Sequence, residues 1–169
     1  LQPQDLGRER ARPLLARVLS SRPAAARARL QLASLLRQQD KSKDALVLVE
    51  AAPRGDPDAT RLLTYAKIQL SLDLGWRSLA ARDAEILALG HPKWVGAWQL
   101  HHRLALMEHG VKAARAAATR LRALDATSLA EARVLAAEGR LTEALAELRR
   151  VSTLSPGLGA ALEPGWLTS

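Results

Sequence analysis

Proline and alanine recur along the chain at nearly constant intervals. Pro23, Pro57 and Pro92 are separated by 34 and 35 residues. An independent series, which we call the rung alanines, is spaced by 34, 35, 34 and 30 residues: Ala11, Ala45, Ala80, Ala114 and Ala144. Apolar residues stand four and seven positions after each rung alanine, which places them together on one helix face. A period of this length is typical of folds that stack one supersecondary unit several times.

The composition indicates which unit is repeated. Ala and Leu together supply 66 of the 169 residues, whereas Ile and Val number nine and Phe is absent. Because β-branched and aromatic residues favour strands, we predict an all-α fold and exclude a sheet-based one. Gly75, Gly110 and Gly139 stand four or five residues before a rung alanine, where we predict left-handed helix ends. Each unit is therefore predicted to be a helical hairpin.

The same patterns predict where the helices lie. The last rung interval is four residues short, about one helical turn, so we expect an irregular junction within Ala118–Thr127. The predicted helices are 8–20, 24–38, 42–52, 58–73, 76–89, 93–108, 111–123, 128–138 and 141–153.

These features resemble the tetratricopeptide repeat family, whose 34-residue unit has the pattern W-x2-L-G-x2-Y, then A-x3-F, then P. The second-helix pattern is carried by Ala45 to Val49, continuing to Ala52 and Pro57, and Trp98 takes the leading aromatic place of another unit. Residues 139–145 resemble the turn and second helix of the family. The chain departs from the pattern at several places: Arg29, Leu63, His101 and His102. The resemblance implies a right-handed superhelical stack of antiparallel helical hairpins, that is, an α-solenoid.

The resemblance covers roughly residues 8–156 and sets the expected domain organisation. We predict a repeat domain over 1–156 and a C-terminal tail over 157–169. The tail either caps the stack through Leu158, Leu162 and Trp166 or extends away from it. The repeat units are predicted near 8–25, 26–59, 60–94, 95–126 and 127–156.

No arrangement of residues suggests catalysis or a cofactor. The chain has no cysteine, no G-x-S-x-G, no phosphate-binding Gly loop and no H-E-x-x-H motif. Four histidines fall within nineteen residues, but their spacing does not match helical metal pairs: His91, His101, His102 and His109. We therefore expect no enzyme activity, no metal and no cofactor. Trp98 is expected in the core, and Trp76 and Trp94 are expected to be more exposed.

In the family, the first helices of successive hairpins line a concave groove, and this implies a set of partner-binding residues. Projecting the groove positions onto this chain selects Arg27, Leu30, Ser34, Arg37, Arg61, Thr64, Ile68, Gln99, Arg103 and Leu106, followed by Leu129 and Arg133. Arginine recurs in every layer, which suits a protein segment or peptide that bears carboxylates. A chain with 20 arginines also places some there by chance, and both interpretations stay open.

Charge leaves a second class of partner open. The chain has a net charge of +8, and residues 1–127 hold 21 bases against 12 acids. We expect a protein-binding scaffold, with a nucleic-acid-binding helical repeat on the basic residues 1–127 as the alternative. Twenty Arg against five Lys suggests a GC-rich bacterial genome. The resemblance then implies an envelope, secretion or exopolysaccharide-export assembly.

The sequence does not decide the compartment. No apolar run approaches the ~18 residues of a membrane span. The bacterial cytoplasm and periplasm both stay open, as does membership in a longer membrane-associated protein.

Overall fold

A computed structural model describes residues 13–19, 25–53, 56–108 and 110–155, and every regular element among them is an α-helix. The all-α fold is therefore confirmed. From the second helix onward, each predicted helix end lies within two residues of the observed one. The helices are α1 (13–19), α2 (Ala26–Gln38), α3 (Ser42–Glu50), α4 (Pro57–Asp73), α5 (Arg77–Gly90), α6 (Val95–Met107), α7 (Val111–Leu124), α8 (Ala130–Ala137) and α9 (Leu141–Leu154).

The chain divides into two compact units between Asp83 and Ala84, inside α5. In the first unit, α2 pairs with α3, and α4 packs against both of them. In the second unit, α6 pairs with α7, α8 packs against both, and α9 pairs with α8. Each unit thus repeats the packing of a hairpin with the first helix of the next hairpin. The predicted tail 157–169 lies outside the described residues.

The rung alanines lie at the helix contacts. Ala45, Ala80, Ala114 and Ala144 are buried, whereas Ala11 lies outside the described part of the chain. A methyl side chain lets two helix backbones approach closely, so a larger residue at these positions has no room. Trp98 also belongs to the core, as predicted, and its indole N–H donates a hydrogen bond to the Pro92 carbonyl at 3.2 Å.

The hairpin turns share one hydrogen-bond pattern. The backbone N–H groups of Lys41, Trp76 and Arg140 each donate to the carbonyl five residues earlier, at 2.9 Å. The residue before each of these donors has a positive φ, and this is the Schellman ending of a helix. Asp40 (φ 57°), Gly75 (φ 79°) and Gly139 (φ 75°) hold those positions.

The prediction for Gly75 and Gly139 is therefore confirmed, but the prediction for Gly110 is wrong. Gly110 has φ −81° and is the N-cap of α7, and its N–H donates to the Ala105 carbonyl at 2.8 Å. Gly110 therefore corresponds to the N–H donors Lys41, Trp76 and Arg140 of the other turns, and not to the positive-φ residue that precedes each of them. The sequence contained this signal, because Gly110 stands four residues before its rung alanine, whereas Gly75 and Gly139 stand five before theirs.

The last interval between rung alanines is short because α8 has few residues, and no helix is distorted. α7 continues to Leu124, so no irregularity interrupts Ala118–Leu124. The Asp125 carboxylate accepts hydrogen bonds from the backbone N–H and the hydroxyl of Thr127, at 2.9 and 2.6 Å, and closes a turn. α8 then has only eight residues, against 13 in α2 and α6.

We expect Gly75→Ala to lower the free energy of unfolding by about 1–2 kcal/mol, because an L side chain is strained at this positive φ. No atom lies within 4 Å of an added Cβ, so backbone conformation alone accounts for the loss. Gly90→Ala is the matched control, since Gly90 is helical and equally uncrowded. Urea denaturation should show Gly90→Ala unchanged or stabilised, and equal destabilisation of both variants would contradict the turn assignment.

We expect Ala114→Leu to destabilise the chain by about 1–3 kcal/mol, because added methylenes overpack a helix contact that has no free space. Ala116 lies on the same helix and is exposed. Ala116→Leu should therefore change the free energy of unfolding by less than about 0.5 kcal/mol. A thermal melt in which the two variants behave alike would show that Ala114 is not at the contact.

Candidate functional site

The first unit has a groove between α2 and α4, the first helices of two consecutive hairpins. Its volume is about 200 Å³. Three of the predicted groove residues, Leu30, Ser34 and Arg37, line it. The complete lining is Leu30, Ala33, Ser34, Arg37, Tyr65, Ala66, Gln69 and Leu70. This groove combines aliphatic, aromatic and neutral polar side chains with one arginine.

The residues predicted on the α4 side of the groove lie elsewhere. Ile68 is fully buried, so it belongs to the core and the prediction that it contacts a partner is wrong. Thr64 lines a separate cavity of about 360 Å³ between the end of α3 and α4. Arg61 does not line the α2–α4 groove, and it forms an ion pair with Asp58 at 3.2 Å. Tyr65 and Gln69 take the positions that the sequence assigned to Thr64 and Ile68.

A one-residue register error explains these differences. The projected positions on α4 stand 34 residues after those on α2, which is the length of the family's unit, whereas Ala45 and Ala80, the rung alanines of the two hairpins, are 35 residues apart. Adding 35 to Leu30 and Ser34 gives Tyr65 and Gln69. The spacing of the rung alanines indicates how successive hairpins are aligned, because these residues lie where the helices touch. The prolines lie in or next to loops, whose length varies.

A local ion pair neutralises the basic residue of this groove. The guanidinium of Arg37 donates through Nε and Nη2 to both carboxylate oxygens of Asp73, the latter at 3.1 Å. These hydrogen bonds raise the pKa of Arg37 above its ordinary value. Two parallel bonds fix the guanidinium plane at the end of the groove. Arg37 therefore contributes a fixed guanidinium plane with N–H donors to the groove, and little net charge.

Two further recesses adjoin the groove at Ser34. One, of about 500 Å³, lies between α1 and α2 and is lined by Leu14, Leu15, Gln31, Ser34 and Leu35. The other, of about 740 Å³, surrounds the α2–α3 turn and includes Lys41 and Lys43. The face of the first unit is therefore recessed from α1 to α4, with leucines on one side and charged residues near the turn.

The corresponding positions of the second unit include two exposed arginines. On α6, Gln99 and Arg103 are exposed and Leu106 is half-buried. The 30-residue spacing of the last rung alanines carries Gln99 and Arg103 onto Leu129 and Arg133, at the start of α8 and on it. Neither Arg103 nor Arg133 makes an ion pair with the described residues. Other arginines of this unit are paired, for example Arg115 with Glu131 at 3.0 Å.

The histidine cluster forms packing contacts. His101 lies edge-on to Trp98 with ring centroids 6.1 Å apart, and His91 contacts Trp94 in the same way. The described residues contain no group of three or more His, Asp or Glu side chains placed to hold a metal ion. His109 lies outside them. Trp94 is half-buried and Trp76 is 47% exposed. No described helix is long and apolar enough to cross a membrane.

Helical hairpins that pack through small residues, with a groove between the first helices of two of them, are typical of an α-solenoid. Residues 8–68 match the family model described as tetratricopeptide repeat. The match supports the tetratricopeptide repeat that the sequence predicted, over these residues. Comparison with curated proteins finds no match.

Solved structures of tetratricopeptide repeat proteins share the fold over most of the chain. A MamA double mutant has a TM-score of 0.73 at 14% identity, covering 93% of this chain and 90% of MamA. YrrB, described as a tetratricopeptide repeat protein with an unusual peptide-binding site, has 0.66 at 16% identity, covering 90% and 80%. A further MamA structure has 0.68 at 11% identity, covering 86% and 87%. At these identities the likeness concerns the fold.

Proposed function

We propose that the chain is a non-catalytic scaffold that binds a segment of a partner protein in the α2–α4 groove of the first unit. The observation that carries the proposal is the lining of that groove, where Leu30 and Tyr65 flank the polar groups of Ser34 and Gln69. Apolar walls with a few placed polar groups are typical of binding sites. YrrB, which has the same fold, provides a precedent for peptide binding.

The chemistry of the first unit favours a segment anchored by apolar side chains. Arg37 is held by Asp73, so a carboxylate of the partner would have to compete with an existing bidentate pair. Tyr65 offers a large contact area at a low cost in conformational entropy, and tyrosine is enriched among residues that dominate binding energy. The recess lined by Leu14 and Leu35 adjoins at Ser34 and extends the apolar surface. We therefore propose an amphipathic segment whose aliphatic face lies on α2 and α4.

Acidic residues of the partner would bind elsewhere. Arg27 is exposed in the first turn of α2, and Arg103 and Arg133 are exposed in the second unit. None of the three makes an ion pair with the described residues, and such a guanidinium gains more from a carboxylate than one already paired, so these arginines act on association and specificity. Our proposal thus keeps an acidic partner but assigns its carboxylates to these positions rather than to Arg37 or Arg61.

We also propose the biological setting that the composition suggests. A bacterial chain rich in Ala, Arg and Leu, with repeats of this kind, suits an assembly factor of the envelope, of a secretion system or of an exopolysaccharide exporter. Support comes from the 20 arginines against five lysines and from the fold.

The groove proposal is tested with a defined ligand. A random twelve-residue phage-displayed library is selected against the intact chain, and the recovered peptide is labelled for fluorescence anisotropy. Tyr65→Ala should weaken its binding by about 30-fold or more, equivalent to about 2 kcal/mol, because a central aromatic anchor is lost. The melting temperature should change little, since Tyr65 is only half-buried.

Trp76→Ala is the matched control, because Trp76 is an exposed aromatic residue of the same unit outside the groove lining. It should leave the peptide affinity within about twofold. Loss of binding in Trp76→Ala with retention in Tyr65→Ala would contradict the groove. Recovery of no peptide after repeated selection, with Tyr65 and Trp76 variants equally inert, would contradict peptide binding by the first unit.

The alternative, nucleic-acid binding, makes a different prediction. Neutralising several phosphates would make log affinity fall steeply and linearly with log salt concentration. We expect a twenty-nucleotide oligothymidine to bind weakly, with Tyr65→Ala and Trp76→Ala having the same small effect. A steep salt dependence, together with competition between the oligonucleotide and the selected peptide, would favour the nucleic-acid alternative.

A further inference from the structure

One arginine stands where the α2–α4 groove meets the recess around the α2–α3 turn. Arg37 lines both of these cavities, whereas Asp73 lines only the recess. The two residues belong to opposite walls of the groove, since Arg37 lies in the last turn of α2 and Asp73 is the last residue of α4. Their bidentate ion pair therefore joins the two walls at one end of the groove.

The stability of α4 does not account for a carboxylate at its last position. The C-terminal end of a helix carries a partial negative charge, which disfavours an acidic side chain there. No basic residue in the last turn of α4 offsets the charge of Asp73. The carboxylate instead accepts hydrogen bonds from Nε and Nη2 of Arg37 on α2. Asp73 thus acts on Arg37, and through it on the groove that Arg37 lines.

The ion pair leaves part of the Arg37 guanidinium available to a ligand. A guanidinium has five N–H groups, and Asp73 accepts hydrogen bonds from two of them. The other three donate to no acceptor among the described residues. The Arg37 side chain is 50% exposed and the Asp73 side chain only 27%, so a ligand reaches the guanidinium more readily than the carboxylate.

The charge of a ligand group decides how well it fits at this guanidinium. A backbone carbonyl or a side-chain amide accepts one of the remaining N–H groups without bringing a second charge. A carboxylate would lie beside the Asp73 carboxylate on the same guanidinium, and like charges at such a short distance repel. The lining of the recess supplies no net positive charge to offset this repulsion. Its three acidic residues balance its three basic ones: Asp40, Asp44, Asp73, Arg37, Lys41 and Lys43.

We propose that Asp73 is a specificity-determining residue of the first unit, which makes the groove accept an uncharged hydrogen-bond acceptor of a partner segment at Arg37 and exclude an acidic side chain there. This inference rests on the proposed function of the groove, and it names the chemistry of the partner at one end. Apolar side chains of the segment lie on Leu30 and Tyr65, and a neutral acceptor follows at Arg37. Asp73→Asn keeps the shape of the side chain and removes its charge, so the same groove should then select a carboxylate.

Parallel selections of the random twelve-residue phage library test this assignment, against the wild-type chain and against Asp73→Asn. The Asp73→Asn peptides should carry Asp or Glu at one fixed distance from their apolar anchors, about threefold more often than the wild-type peptides. Asp40→Asn is the matched control, because it removes the same charge from an exposed position in the same recess. Asparagine also tolerates the left-handed backbone of residue 40. Equal enrichment in Asp40→Asn, or none in Asp73→Asn, would overturn the proposal.

Affinities of two synthetic peptides measure the size of the effect by fluorescence anisotropy. One is an acidic peptide from the Asp73→Asn selection, and the other has the matching amide in place of the acidic residue. The acidic peptide should bind Asp73→Asn about tenfold more tightly than the wild type, because it gains charge-assisted hydrogen bonds, and the amide peptide should bind both chains within about threefold. Adding Arg37→Gln to Asp73→Asn should abolish the tenfold preference. Its persistence would show that another cation binds the carboxylate and would overturn the proposal.

A measurement without a peptide separates the role of Asp73 from that of the groove. The Nε–H resonance of Arg37 is followed by NMR of the intact chain during titration with acetate at constant ionic strength. It should stay in place in the wild type and in Asp40→Asn, and move progressively in Asp73→Asn. Movement in the wild type would overturn the role of Asp73, even if Asp73→Asn does not fold. Recovery of no peptide by any of the chains, together with the expected acetate response, would contradict the groove and not the selectivity at Arg37.

Discussion

Close contact between helices at buried alanines is the constraint on which the rest of the structure depends. Ala45, Ala80 and Ala114 have no exposed surface, and a methyl side chain allows two helix backbones to approach closely. The contacts fix how far each hairpin is rotated and shifted relative to the next helix. This alignment of the hairpins determines which residues line the groove between α2 and α4. It brings Tyr65 and Gln69 of α4 into the same groove as Leu30 and Ser34 of α2.

The same constraint explains which parts of the fold could be predicted. Helix ends were predicted to within two residues from α2 onward, because Gly, Pro and the apolar periodicity act locally. Asp40 was missed at a left-handed position since aspartate is only one of several residues that tolerate it. The predicted groove positions on α4 were wrong by one residue. Because a helix turns by about 100° per residue, that single step is enough to place Ile68 in the core and not in the groove.

The arginine pairs that join distant parts of the chain could not be read from the sequence. Arg37 and its partner Asp73 are 36 residues apart, and Arg115 pairs with Glu131 on α8 and with Glu138, which follows α8. Three other pairs do stand at the helical spacing of three residues: Arg61 with Asp58, Arg140 with Glu143, and Arg150 with Glu147. A count of arginines therefore overstates the positive charge available to a partner. The structure leaves Arg103 and Arg133 exposed without an ion pair to the described residues, and these retain a role in recognition.

The two units consequently offer a partner different chemistry. The first unit presents Leu30 and Tyr65 beside Arg37, whose charge is neutralised by Asp73. Binding to this groove therefore depends on apolar contact, and its affinity should respond weakly to salt. The second unit presents Arg103 and Arg133, which are exposed and make no ion pair with the described residues, so this surface rewards negative charge and responds to salt. Burial lowers the pKa of His102 on α6 to about 4, and the positive charge of Arg133 contributes to that shift. An anion bound at Arg133 would offset this charge, so binding would raise the pKa of His102. By linkage, protonation of His102 would in turn strengthen anion binding at Arg133.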